Sequence, residues 1–235
     1  MPAQLLELAT APDLVERAHR ALLGAIVDGT LAPGLRITQE DLARRLAVSR
    51  QPVLQALRLL KADGLVIDAP GRGLQVAPLD GEGIAAVYQV RAALDVLAAR
   101  LAAQHRARID PALIDRGRRA ARGRDVRAMI DADVAFHRAI YAASRNPLIE
   151  PSAHVHWHHI QRAMGAVLQR STLRATVWDE HAAIAEEIAA GNVAGAAELI
   201  SGHDQRAAEH MQRELAPLPS SSATAAPIAF GGPNR

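Results

Sequence analysis

Cysteine is absent from the 235 residues, so a disulfide framework, a thiolate zinc site and a cysteine nucleophile are all excluded. Aromatics are almost as scarce, with two each of Phe, Trp and Tyr, and the apolar 49% of the chain is mostly Ala, Leu, Val and Ile. A core made of those residues is aliphatic and points to a helical class. No run of about 18 uncharged apolar residues occurs, which leaves no spanning helix. The first residues also lack a basic segment ahead of an apolar one, as a secretory signal requires. The expected compartment is therefore the cytoplasm, with no membrane partner. Lysine occurs once, at Lys61, and the other 26 of the 27 basic residues are arginine. Against 25 acidic residues the net charge is only +2, small for a nucleic-acid binder. A whole-chain sum conceals distribution, however. The length suits two domains of roughly 100–200 residues or a little less, each able to bury a core.

Apolar side chains at Leu14, Ala18, Leu22 and Ala25/Ile26, with Glu16, Arg17 and Arg20 between them, give a helical period over Leu14 to Val27. Gly29 and Pro33-Gly34 end it. Thr38 then precedes Gln39-Glu40-Asp41, where its hydroxyl can cap free N–H groups, and Leu42, Ala43 and Leu46 follow on a short second helix. Ser49 is expected to cap a third, with Pro52 tolerated in the first turn and Val53, Ala56, Leu57 and Leu60 forming the buried stripe. Ala62-Asp63-Gly64 stops it. Leu65-Val66-Ile67 and Leu74-Gln75-Val76 flank Pro70-Gly71-Arg72-Gly73 and read as a β-hairpin with a glycine-rich tip. Three helices followed by a hairpin form a winged helix-turn-helix pattern.

From Ile84 to about Leu215 helical periods dominate, with breaks near Asp110-Pro111, Gly123, Asn146-Pro147, Arg170-Ser171 and Gly191-Asn192. About six helices result, an all-α bundle large enough to enclose a pocket. The fold expected is mainly α: an extension at 1–12, a winged helix-turn-helix over 13–78, an all-helical domain over 79–215, and a disordered tail over 216–235 rich in Ser, Pro and Gly.

With the apolar stripe of the third helix inward, Gln51, Leu54, Gln55 and Arg58 share the opposite face and Arg50 sits in the first turn. That face would enter the major groove, where Arg pairs with guanine and Gln with adenine. The Thr38 hydroxyl suits a phosphate, and Arg72 at the hairpin tip suits a minor groove or a phosphate ridge. Each residue alone would ordinarily be a solvated surface side chain, and the helix-turn-helix frame is what makes contact the expectation.

Asp133 and His137 stand four apart on the Val126 to Ala143 helix, and Glu180-His181 and His203 lie on two later ones. Three imidazoles and a carboxylate make a divalent site, with zinc foremost and nickel, manganese or iron as the other metals such ligands hold. By spacing alone a histidine on a helix is more often a surface or core residue than a ligand. A rival lies at His154-Val155-His156-Trp157-His158-His159, where His154 and His158 share a face. His210, seven after His203, is a lesser one. Arg91 is the candidate cation for an acidic ligand, with a structural salt bridge to Asp95 at i+4 as the alternative. The arginine run from Arg106 to Arg127 reads as a solvated face.

The run Gly29 to Ile37, then Leu42-Ala43-Arg44-Arg45-Leu46-Ala47-Val48-Ser49-Arg50-Gln51-Pro52-Val53, then Ala56-Leu57 and Gly64-Leu65-Val66, resembles the DNA-binding domain of the GntR family of bacterial transcription regulators. The resemblance implies that Arg50 touches DNA. Where the family usually has a second arginine on the reading helix this chain has Leu54, which favours an operator offering a thymine methyl. Tyr88-x-x-Arg91-x-x-Leu94-Asp95, Asp133-x-x-Phe136-His137-x-x-Ile140, Ser144-Arg145-Asn146-Pro147-Leu148 and Glu180-His181-x-x-Ile184 resemble the FCD effector domain of the FadR subfamily, with Asp95 where Glu is usual. That resemblance implies a metal held by Asp133, His137, His181 and His203, whose open positions accept a small carboxylic or sugar acid. It implies further a homodimer on operator DNA, generally a repressor released by its ligand and not an enzyme. The competing class is a metal-dependent hydrolase at the same ligands, with Glu180 as base.

Overall fold

The computed structural model describes residues 14–169 and 176–216. The expected N-terminal extension, the break at Arg170-Ser171 and the tail beyond Ala216 lie outside the described residues.

The first unit contains α1 (Leu14–Val27), β1 (Arg36–Ile37), α2 (Gln39–Leu46), α3 (Arg50–Ala62), β2 (Val66–Asp68) and β3 (Leu74–Val76). Ala18, Leu22 and Ile26 of α1 meet Leu42 and Ala43 of α2 and Val53, Ala56, Leu57 and Leu60 of α3 in one aliphatic core. The Thr38 hydroxyl accepts the Asp41 N–H at 3.2 Å, as its position before an acidic first turn predicts. Ser49 stands at the N-cap of α3 but makes no side-chain capping bond, a departure from expectation. Its turn is exposed, so solvent can satisfy those N–H groups. Gly64 ends the helix at φ +72°, in the left-handed region that glycine enters without strain.

The hairpin is the core of a three-stranded sheet of order β1-β3-β2. Strand β3 pairs antiparallel with both neighbours, Val66 opposite Val76 and Arg36 opposite Gln75. Two residues of β1 are too few to carry a period-2 signal, which is why the sequence reveals only the hairpin. The wing tip is pinned from β1, where Arg36 donates to the Arg72 carbonyl at 3.4 Å and to that of Pro70.

The second unit is all helical: α4 (Gly81–Gln104), α5 (Pro111–Gly123), α6 (Val126–Ala143), α7 (Ile149–Leu168), α8 (Val177–Ala190) and α9 (Val193–Leu215). Asp80, Asp110, Asp125 and Asn192 cap α4, α5, α6 and α9 through their side-chain oxygens. Helix α4 is the axis, contacting α6, α7, α8 and α9. Its Ala98, Ala99, Ala102 and Ala103 are fully buried, and small side chains allow that close approach. Gly117 of α5 is a second enabling position, because a Cβ there would stand 2.0 Å from the Trp178 ring. The indole lies on α5 and so seats α8, the helix that carries His181.

Candidate metal centre and nucleic-acid interface

Asp133 and His137 project one turn apart from α6, His181 comes from α8 and His203 from α9. All four are buried, His137 and His181 completely, and one ligand atom from each lies within 4.8 Å of the others. His181 Nε2 is 3.3 Å from His203 Nε2 and 3.5 Å from Asp133 Oδ1. Donors bound at roughly 2.0–2.1 Å to one ion stand about 3.0–3.4 Å apart, so these separations suit a shared cation. The Phe136 ring stacks on His181 at 4.2 Å and Trp178 meets it edge-on at 4.7 Å, fixing its plane.

A ring of charged groups surrounds the ligands. His203 Nδ1 bonds Glu180 Oε2 at 2.8 Å, and Arg206 Nε donates to the other Glu180 oxygen at 3.1 Å. That bond places the His203 proton on Nδ1 and leaves the Nε2 lone pair facing the cluster. Burial lowers the His203 pKa, so its imidazole is neutral and able to ligate. His137 Nδ1 lies 3.1 Å from Asp95 Oδ2, a pairing of the same kind. Burial, then the Arg91 charge, lowers His137 to about 4. The donor set fits a divalent cation, since the carboxylates of Asp95, Asp133 and Glu180 outnumber Arg91 and Arg206 around it.

Arg91 is 1% exposed. Its Nη2 is 3.0 Å from Asp95 Oδ2 and 3.4 Å from Asp204 Oδ1, and it stands almost equally close to both ring nitrogens of His137, 3.0 Å from Nδ1 and 2.9 Å from Nε2. Its guanidinium lies over the Trp157 ring, 4.1 Å from the centroid. Burial opposes the charge, but Asp95 and Asp204 outweigh burial and raise its pKa well above the ordinary value. The salt bridge to Asp95 is therefore present, and the guanidinium also stands against the His137 ring. The Tyr141 hydroxyl donates to Asp95 and accepts from Trp157 Nε1 at 3.3 Å. Asp204 is pushed up by burial and by Asp95. Asp204 was not legible, because a residue next to a helical ligand ordinarily points elsewhere.

Beside the ligands lies a cavity of about 30 Å³ bordered by Tyr88, Arg91, Asp133, His203, His210 and Met211. It has room for little more than water. A larger groove of about 530 Å³ between α5 and α8 contains none of the four ligands.

On the first unit, Arg50, Gln51 and Arg58 are exposed along α3, and Leu54 and Gln55 are half-buried on the same side. Arg50 is held by Glu40 of α2 at 3.2 Å. Thr38 and Arg72 are exposed at the start of α2 and the wing tip. All seven residues read from sequence thus border the α2, α3 and wing surface. Asp133, His137, His181 and His203 form a separate cluster.

Helix α7 joins the two units. His159 Nε2 donates to the carbonyl of Asp63, the C-cap of α3, at 2.8 Å, and Arg162 donates to the carbonyl of Ala77 just after β3. The His154–His159 run, read from sequence as a rival metal cluster, is therefore partly a domain contact. No local pattern could show it, since the partners are 85 and 96 residues away.

The families fall where these two units lie. Residues 14–76 match the model of bacterial regulatory proteins of the gntR family, and residues 86–206 match the FCD domain. The chain belongs to the GntR family of bacterial regulatory proteins, with an FCD effector domain. This GntR regulator is 26% identical over 207 residues to the uncharacterized HTH-type transcriptional regulator YdhC of Bacillus subtilis, covering 84% of this chain and 90% of that one. It is 30% identical over 213 residues to the HTH-type transcriptional regulator LutR of the same organism, covering 76% and 92%. Among solved structures, McbR/YncC of E. coli superposes with a TM-score of 0.71 at 18% identity, over 86% of this chain and 98% of that one. A GntR regulator of Rhodococcus sp. RHA1 follows at 0.69 and 23%, over 84% and 96%. These two structural likenesses speak to fold alone. Among the described residues no helix is long and apolar enough to cross a membrane.

Proposed function

We propose that this DNA-binding regulator is a repressor that leaves its operator when a small carboxylic or sugar acid binds beside a divalent ion, zinc foremost, held by Asp133, His137, His181 and His203. The observation that carries the reading is the convergence of these four buried ligands at the edge of a cavity bordered by Arg91. When bound, the ion would supply a Lewis-acid anchor for a carboxylate. The chain's own residues do the rest. Glu180 and Asp95 orient His203 and His137, and Arg91 moves off the His137 ring and turns its N–H groups toward the acid. The cavity is far below the roughly 300 Å³ of an ordinary ligand site, so Met164, Met211 and their neighbours must move to admit the acid. A ligand that binds only the opened form has the differential affinity that a switch requires.

On DNA, α3 enters the major groove, with Arg50, Gln51, Leu54, Gln55 and Arg58 toward the bases, Thr38 toward a phosphate and Arg72 toward the minor groove. Arg50 exchanges Glu40 for its DNA partner. Two copies bind two half-sites as a homodimer. Ala86, Val90, Ala93 and Leu97 expose an apolar stripe along α4 that suits a partner copy, Val90 being 50% and Leu97 43% exposed. Partial support for repression comes from the likeness, 30% identical over 124 residues, to a probable D-xylose utilization operon transcriptional repressor of Paenarthrobacter nicotinovorans. The hydrolase alternative has no support among relatives, which are named as regulators.

A thermal-shift screen of short carboxylic and sugar acids, with zinc-loaded and metal-stripped protein, tests the reading. At least one acid is expected to raise the melting temperature only when metal is present, and to lose that effect in His203→Ala. Acids that bind equally well to stripped protein would refute the metal-anchored site.

A further inference from the structure

Three histidines stand at the seam between α1 and α7, apart from the buried metal ligands and from the His159 hydrogen bond. His154 and His158 are one helical turn apart on α7, with ring centroids 4.5 Å apart and edge to face. His158 is 8% exposed, and its Nδ1 is buried without a hydrogen-bond partner. Across the seam, His19 of α1 has its Nε2 buried and likewise unpartnered. Helices α1 and α7 pack against each other, so both residues lie on elements that meet at this seam. A buried ring nitrogen without a hydrogen-bond partner is costly, and in the tautomer that leaves it unprotonated its lone pair is open to a cation.

We infer that His19, His154 and His158 bind a second divalent transition-metal ion that fastens the DNA-reading unit to the helical one. An i, i+4 histidine pair on a helix is a chelating arrangement, and imidazole donors without thiolate or carboxylate suit zinc, nickel or copper. Among the described residues only the Asp133 group already has all its ligand atoms within 4.8 Å. The seam histidines would draw together around an ion, and His154, being exposed, has room to turn toward it. Burial lowers His158 to about 4, which keeps its ring neutral and able to ligate at neutral pH. His156, two positions from each partner, points away from this face and takes no part. One turn on, His159 and Arg162 take the carbonyls of Asp63 and Ala77, so the ion would reinforce a seam that already docks α3 and the wing.

Equilibrium dialysis of the metal-stripped full chain against zinc and against nickel tests this, with folding of each variant checked by circular dichroism. Wild type is expected to bind two ions per chain. His137→Ala, His154→Ala and His19→Ala are each expected to bind one, and the His137→Ala/His154→Ala double variant none. Because His154 and His19 are not fully buried, their removal spares the core even if His158→Ala does not fold. One ion per wild-type chain that is lost in His137→Ala overturns the inference, and so does a second ion that persists in His19→Ala, since the site would then not span the seam. One ion that is kept in His137→Ala and lost in both His154→Ala and His19→Ala supports the seam site and counts against the Asp133 centre.

Discussion

At Arg91 a full positive charge sits with 1% of its surface exposed, balanced by Asp95 from its own helix and Asp204 from α9. Removing one member of a buried ionic cluster strands the others. Arg91→Ala is accordingly expected to cost about 3–5 kcal/mol of stability, read as a lower denaturation midpoint in urea. A loss below about 1 kcal/mol would mean the network contributes little. Only half of that network was legible. The i, i+4 spacing marked Arg91 and Asp95 as a pair, but Asp204 lies 113 positions away from Arg91 and announces itself by no motif. The clustering of the four side chains was legible because Asp133 and His137 fall on one turn and the family pattern supplies His181 and His203. Leu54 carries the other residue-scale expectation. It stands where the family has arginine, so Leu54→Arg should change the preferred base in a binding selection at fixed salt, and an unchanged preference would remove its reading role.

At the scale of elements, α7 is the piece that faces both ways. Trp157 packs on Arg91 and bonds Tyr141 beside the ligands, while His158, His159 and Arg162 face the reading unit. A shift of α7 on ligand entry would reach α3 through one helix, without a chain of intermediates. The seam should also respond to acid. Burial lowers both His158, to about 4, and His159, where Arg162 and His156 oppose the charge and Asp63 favours it. His154 and His19 add their charges against His158. The unfolded chain, with histidines near 6.5, therefore takes up protons first as pH falls. The stabilisation is complete above about 6.5 and is lost as pH drops toward 4. Hydrogen exchange at the Asp63–Leu65 and Ala77 amides is expected to accelerate over that window, and in Arg162→Ala at neutral pH. Exchange independent of both would show that the seam is not closed by these residues. The helices themselves were legible to within a few positions because caps such as Thr38, Asp110 and Asn192 mark their starts. The seam was not, because it depends on carbonyls that carry no sequence identity.

Across the whole molecule the charge is evenly spread, with nine basic and eight acidic residues over 1–78 and 17 of each over 79–215. DNA binding must then rest on placement, with Arg50, Arg58 and Arg72 on one surface of each copy. For a dimer that sets a salt slope no steeper than about −5. A slope near −10 would require phosphate contacts beyond those named. The near-neutral helical unit is suited to sensing more than to nucleic acid, and its buried ligands lie on three helices that only the fold brings together.

The most direct measurement is the affinity of the zinc-loaded protein for a selected operator duplex at fixed salt, by fluorescence anisotropy, with and without the acid found in the thermal screen. At least a tenfold loss of affinity on adding the acid is expected in wild type, and no loss in His203→Ala or after chelation. An acid that binds the metal-loaded protein while operator affinity stays unchanged would contradict the account.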